Sequence, residues 1–218
     1  MQPVHAAWRV EVHFVRVSCI TCLFTVVCGL GAQVSQAAEY RIVPAAADVL
    51  ASDTLNLAVE VETEPGDNLV GVGHFSFAID LALTGDAGAM GSDISNIVIN
   101  EIEWDDTSSN QTGTPLGNEW IGVGGVTTDP FAPNFGAGVG DVIELFTFDL
   151  TIPATALLSS TITITPSEGL LQNLTVNSTF DPVSPQNFTP ATLTVVPEPM
   201  SALLVAMAAV MLVRRQRV

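Results

Sequence analysis

The stretch GHFSFAIDLAL, residues 73–83, decides the fold. Phe75, Phe77, Ile79, Leu81 and Leu83 take every second place, with His74, Ser76, Ala78, Asp80 and Ala82 between them. A period of two sends alternate side chains to opposite sides of an extended chain, so one set meets a core and the other meets water. The pattern therefore predicts a strand with His74 on its polar side. Gly71 and Gly73 just before it suit a bulge or a tight entry.

The same period recurs on both sides. In DTLNLAVEVET (53–63) Leu55, Leu57, Val59 and Val61 alternate with Asn56, Ala58, Glu60 and Glu62. In DVIELFTFDLTI (141–152) Val142, Phe146, Phe148, Leu150 and Ile152 share a face, and Glu144 is out of step, as at a sheet edge. Further strands are predicted at 94–104, 119–126, 160–165, 173–177 and 191–196, with Trp104 sharing the face of Ile94, Val98 and Ile102. Gly, Pro, Asn, Asp and Ser clusters separate them. Only 153–160 offers as much as one helical turn. Eight or nine short strands without helices predict an all-β, antiparallel two-sheet sandwich. The loops at 105–118 and 127–141 are where such a domain carries binding residues.

Charge narrows the partners. Of 23 acidic residues only Glu11 and Glu198 lie outside 39–196, where Arg41 alone faces 21 carboxylates and the formal charge is −20. Neutralising phosphates takes Lys or Arg, so nucleic acid and anionic headgroups are excluded as partners. Divalent cations and basic surfaces fit. Disorder is excluded as well, because 48% of residues are hydrophobic and strongly patterned.

Catalytic patterns are sparse. A Ser-His-Asp triad needs an imidazole, and His74 is the only histidine beyond residue 13; it reads as a surface or edge residue. No metalloprotease, P-loop or dinucleotide fingerprint occurs. Carboxylate pairs for glycoside hydrolysis come from Glu101, Glu103, Asp105, Asp106 and Glu119, in a chain where acidic residues are common everywhere. Oxygen donors for a structural calcium are Asp86, Asp93, Asp105, Asp106 and Asp141, without the register of a calcium loop. No other cofactor is implied. Trp104 and Trp120, flanking the 105–118 loop and joined by Phe131 and Phe135, offer a platform for stacking sugars; the competing reading puts both tryptophans in the core. Four N-x-Ser/Thr acceptor patterns, at Asn110, Asn173, Asn177 and Asn187, are of the frequency expected in a Thr-rich chain.

Both ends differ from the middle. Arg9 and Arg16 precede the uncharged VSCITCLFTVVCGLGA (17–32), and small residues follow. This is the order of a secretory signal, with Ser35 and Ala37 set for cleavage after Ala37, or one residue on, after Ala38. Cys19, Cys22 and Cys28 all fall inside it, so the exported part is expected to lack thiols. At the other end Val196-Pro197-Glu198-Pro199 leads into the apolar run Met200–Val213, closed by Arg214, Arg215 and Arg217. As a helix these 14 residues would be about 21 Å long, a short span against a hydrocarbon core of roughly 30 Å. The arginines would stay on the cytoplasmic side.

This tail resembles the PEP-CTERM sorting signal. The resemblance implies export, recognition by an exosortase (a membrane protease) and processing near Pro197, Glu198 and Pro199. It also implies transient membrane attachment, then the cell surface or medium of polysaccharide-producing bacteria. The middle resembles cohesin-like and carbohydrate-binding sandwiches, on Ser52–Leu57, Gly73–Asp80 and Leu145–Leu150. The expected layout is a signal peptide at 1–38, a cohesin-like or jelly-roll sandwich at 39–180, a linker or last strand at 181–196 and a sorting signal at 197–218. The expected function is non-enzymatic adhesion or biofilm matrix assembly, with polysaccharide or other matrix proteins as partners. A carbohydrate-binding module and a glycan hydrolase are the alternatives.

Overall fold

The structure, a computed structural model, describes residues 37–128, 136–169 and 175–198, together with Met207. Its described strands are β1 (Ala38–Val43), β2 (Ala46–Val49), β3 (Thr54–Glu62), β4 (His74–Thr84), β5 (Ile94–Ile99), β6 (Gln111–Leu116), β7 (Glu119–Val126), β8 (Val142–Thr151), β9 (Thr161–Glu168), β10 (Val176–Asn177), β11 (Gln186–Thr189) and β12 (Ala191–Val195). A single 3-10 turn, Gly91–Asp93, stands before β5.

Two sheets form the sandwich. One runs β11-β1-β3-β8-β5; the other runs β2-β12-β9-β4-β7-β6, with β10 beside the first residues of β4. The inner faces supply the core predicted from the alternation: Leu57, Val59 and Val61 from β3, Phe77, Ile79, Leu81 and Leu83 from β4, and Phe146, Phe148 and Leu150 from β8 are all buried. Phe77 stacks on Phe146 across the sheets at 5.9 Å.

The sheets are mixed, which corrects the antiparallel expectation. β1 pairs in parallel with β11, and β2 in parallel with β12. The opening segment starts in one sheet and, after Pro44 and Ala45, continues in the other, so each half lies against a strand from the end of the domain. Period-two patterning fixes which side chains turn inward and carries no information about neighbour direction.

Bulges in β8 and β4 turn several side chains the unexpected way. In β8, Val59 opposes Phe146 and Glu60 opposes Glu144, leaving Leu145 without a partner. The extra residue shifts the phase, so Ile143 turns inward and Val142 and Glu144 turn outward. In β4, Asn177 opposes His74 and Val176 opposes Ser76, which leaves Phe75 extra. His74 is therefore 1% exposed instead of lying on the wet side, while Phe75 turns out against Phe180 at 4.8 Å. The predicted strand 94–104 is also shorter. It stops at Ile99, and the amides of Glu103 and Trp104 both donate to the Asn100 carbonyl. Val98 is exposed by a register irregularity between Ser95 and Val98, where Asn96 has φ 49°, and beyond the strand Ile102 is exposed while Trp104 is buried.

The pairings define two ends. Loops 50–53, 85–93, 117–118 and 153–160 meet at one end, where the chain also leaves β12. Loops 63–73, 100–110 and 178–185 gather at the other.

Candidate functional site

The aspartates that the sequence nominates for catalysis or metal binding hold backbone and hydroxyl groups: Asp93, Asp106 and Asp141 within their own loops, Asp86 and Asp105 across to another segment. Asp86 Oδ1 accepts from the Thr161 amide at 2.6 Å, Asp93 Oδ2 from the Met90 amide at 2.8 Å and Asp141 Oδ2 from the Gly138 amide at 2.8 Å. Asp105 takes the Thr128 amide and hydroxyl, and Asp106 takes the hydroxyls of Ser108 and Ser109 at 2.6 Å each. Short polar side chains that bond backbone amides two or three residues away are how tight turns are closed. Donated hydrogen bonds stabilise the anion, and the carboxyls of Asp86, Asp105 and Asp106 are held below the usual range for that reason. General acid catalysis needs a carboxyl raised instead. Glu103 is raised, by burial, and its Oε2 is enclosed without a hydrogen-bond partner. Among the described residues no three His, Cys, Asp or Glu side chains group as metal ligands.

The two tryptophans divide. Trp104 is 0% exposed, edge-on to Phe77 at 4.8 Å and to His74 at 6.0 Å. A stacking platform needs an open ring face, and this ring has none. Trp120 is half-buried on β7, donating Nε1–H to the Thr112 carbonyl of β6 at 2.7 Å. Gly113 makes room for it, because a Cβ there would stand 2.7 Å from Nε1. Phe131 and Phe135 lie outside the described residues, as do the predicted signal apart from Ala37 and Ala38, and the tail from Pro199 apart from Met207. Ala38 is the first residue of β1, and its amide donates to the Pro185 carbonyl. Pro197 and Glu198 are exposed just after β12.

His74 belongs to a buried aromatic group instead. Tyr40 lies edge-on to it at 6.3 Å and stacks on Phe188 at 5.0 Å. Neither ring nitrogen of His74 nor the Tyr40 hydroxyl has a hydrogen-bond partner. Burial lowers the His74 pKa to about 3 and raises that of Tyr40, with Asp67 and Glu168 adding to the latter. An imidazole so enclosed stays neutral and cannot reach a substrate. It is a packing residue.

The face best arranged to meet a partner is the outward side of the five-stranded sheet, which composition alone does not single out. Arg41 on β1 bonds Glu62 and lies 3.5 Å from Glu60 on the neighbouring β3. Asp149 on β8 accepts from Asn56 of β3 at 2.8 Å and from Asn96 of β5 at 3.0 Å. Thr54 and Thr151 share a hydroxyl contact at 3.2 Å, and Thr189 donates to Glu39 at 2.8 Å. Cross-strand bonds thus fix side chains of all five strands in one polar, mostly anionic layer, and fixed side chains have less rotamer entropy left to lose on binding. The signal missed in the sequence is the alternate-position set Glu60-x-Glu62, Thr147-x-Asp149-x-Thr151, which register turns into a surface.

No protein-family model matches the chain, and no curated protein matches it. Solved structures do. The CaDoc0917–CaCohA2 complex aligns at 13% identity over 73% of this chain and 99% of that one, with a TM-score of 0.50. The seventh ScaB type I cohesin of Pseudobacteroides cellulosolvens aligns at 13% over 75% and 95%, with a TM-score of 0.48. The sixth cohesin of scaffoldin B from Acetivibrio cellulolyticus, solved with the Cel5 dockerin, aligns at 12% over 75% and 100%, with a TM-score of 0.49. At these identities the likeness is one of architecture, and the middle of the chain has a cohesin-like β-sandwich fold.

Proposed function

We propose that this chain is an exported, non-catalytic protein-binding module of the cell surface or extracellular matrix, delivered through its PEP-CTERM-like tail. The observation that carries the reading is the outward face of β11-β1-β3-β8-β5, covered by no other element among the described residues and locked by Arg41–Glu62, Asn56–Asp149 and Asn96–Asp149. The same architecture serves protein association in the CaDoc0917–CaCohA2 complex. The nominated aspartates engaged in loop hydrogen bonds, and the buried Trp104, weigh against hydrolase and sugar-stacking roles. The face is anionic, so the partner presents a basic or strongly polar surface, and association weakens as salt screens it.

In this proposal the exosortase engages Pro197, Glu198 and Pro199 while residues 200–213 sit in the membrane and Arg214, Arg215 and Arg217 hold the cytoplasmic side. A photo-crosslinker placed at Thr147, on the face, should capture one discrete protein on intact cells of the source bacterium. The same group at Thr165, on the opposite sheet, should not. Equal capture from both positions, or turnover of labelled glycans by the purified protein, would overturn the reading.

A further inference from the structure

The end of the sandwich from which the tail departs carries an apolar projection. Loop 153–160 consists of two consecutive turns: the Ala156 amide donates to the Pro153 carbonyl at 3.0 Å, and the Ser160 amide and hydroxyl both donate to the Leu157 carbonyl, at 3.1 and 2.6 Å. Ser159 is held at φ 67°, a conformation uncommon for a residue with a side chain. These constraints hold Leu157 and Leu158 outward, 73% and 63% exposed, as adjacent leucines in water. Solubility gives no reason for them; burial of such side chains is what normally stabilises a fold.

Their position supplies one. The Ser159 amide donates to the Val195 carbonyl at 2.7 Å, the Val195 amide to the Ser160 carbonyl at 2.9 Å, and the Val196 amide to the Val49 carbonyl at 2.8 Å. The tail is thus fastened to this loop at Val195 and to the end of β2 at Val196. Four residues farther on, at most about 14 Å of extended chain, the apolar run begins at Met200. With that run inserted, the tether keeps the loop within a short reach of the membrane surface. Met90 before the 3-10 turn and Leu116 at the end of β6, both exposed and joined through the Gly91 amide and Gly117 carbonyl, lie at the same end.

We propose that Leu157 and Leu158 dock into the bilayer interface and seat the sandwich on the membrane while the tail is inserted, which presents Pro197–Pro199 at the depth of the headgroups. The proposal rests on the reading of residues 200–213 as membrane-inserted. The lipid surface it fits is an uncharged or zwitterionic one, because Asp48, Asp53, Asp86 and Glu198 are exposed around the loop and the only described base, Arg41, bonds Glu62 on the outward face of the other sheet. Since the turns already fix the loop backbone, insertion has only the leucine side chains left to order.

The test uses the chain as signal cleavage would leave it, Ala38 to Val218, which has no cysteine of its own, with one reporter, Leu158→Cys, carrying an environment-sensitive dye, reconstituted into phosphatidylcholine vesicles. Flotation reads the tail; quenching by spin-labelled lipid reads the loop. The dye at 158 should be quenched several-fold more than the same dye at Val139→Cys, on the opposite end. Adding Leu157→Asp or anionic phosphatidylglycerol should reduce that quenching without abolishing flotation. Protein that floats while both dyes are equally unquenched overturns docking and leaves the anchor standing. Protein that does not float overturns both. A dye at 158 shielded from water but untouched by spin-labelled lipid assigns the leucines to another protein surface and overturns docking.

Discussion

His74 shows how one side chain can govern the acid response of the fold. Its ring is buried without hydrogen bonds and its pKa falls to about 3, whereas an unfolded histidine titrates near 6.5. Below about pH 6.5 the unfolded chain takes up a proton that the folded one refuses, so stability falls with decreasing pH until about pH 3. The slope is about 1.4 kcal/mol per pH unit, with a ceiling near 5 kcal/mol. His74→Leu should remove that slope between pH 6.5 and 4.5 and leave stability at pH 7 equal or higher, read from urea midpoints. A parallel pH dependence in the variant would contradict the assignment. Gly125 makes a second point at this scale. A Cβ there would stand 2.5 Å from Phe77 Cε1 and 3.0 Å from Trp104 Cβ, inside the aromatic core. Gly125→Ala should therefore cost about 1–3 kcal/mol by overpacking, measured by the same denaturation.

At the level of elements, β3 and the second half of β4 could be read directly from alternation, because each strand keeps its phase. β8 and the start of β4 could not. One residue too many, Leu145 or Phe75, inverts everything on one side of it, and nothing in the residue types marks the spot. β6 lay inside a predicted loop, since QTGTPL has neither alternation nor β-branched density and forms a strand only against β7. The candidate face was equally hidden, because it depends on the register between β3, β8 and β5. The bulge makes its own prediction. Deleting Leu145 should give a regular strand with Ile143 still inward, losing about 2–5 kcal/mol for one buried leucine, and should keep the native circular dichroism spectrum. Deleting Thr147 should reverse Phe146 and Ile143 together and abolish folding. If both deletions behave alike, the phase account is wrong.

Over the whole molecule, charge and hydrophobic burial oppose each other. A formal −20 across 39–196 with a single arginine repels itself in the compact state. Raising sodium chloride from about 10 to 150 mM shortens the screening length from about 30 to 8 Å and should raise Tm by several degrees; a Tm independent of salt would show that the carboxylates are too dispersed to matter. The partly exposed Arg41–Glu62 pair adds little against this, and Arg41→Ala should change stability by less than about 1 kcal/mol.

The proposed export, with processing at both ends, joins the anionic sandwich, the apolar termini and the candidate binding face into one account. The most direct measurement is the intact mass of the protein recovered outside the source cells. The account predicts a polypeptide that begins at Ala38 or Glu39 and ends near Pro199, without the Arg214–Val218 terminus. The full-length mass, found in the cytosol and absent outside, would contradict it.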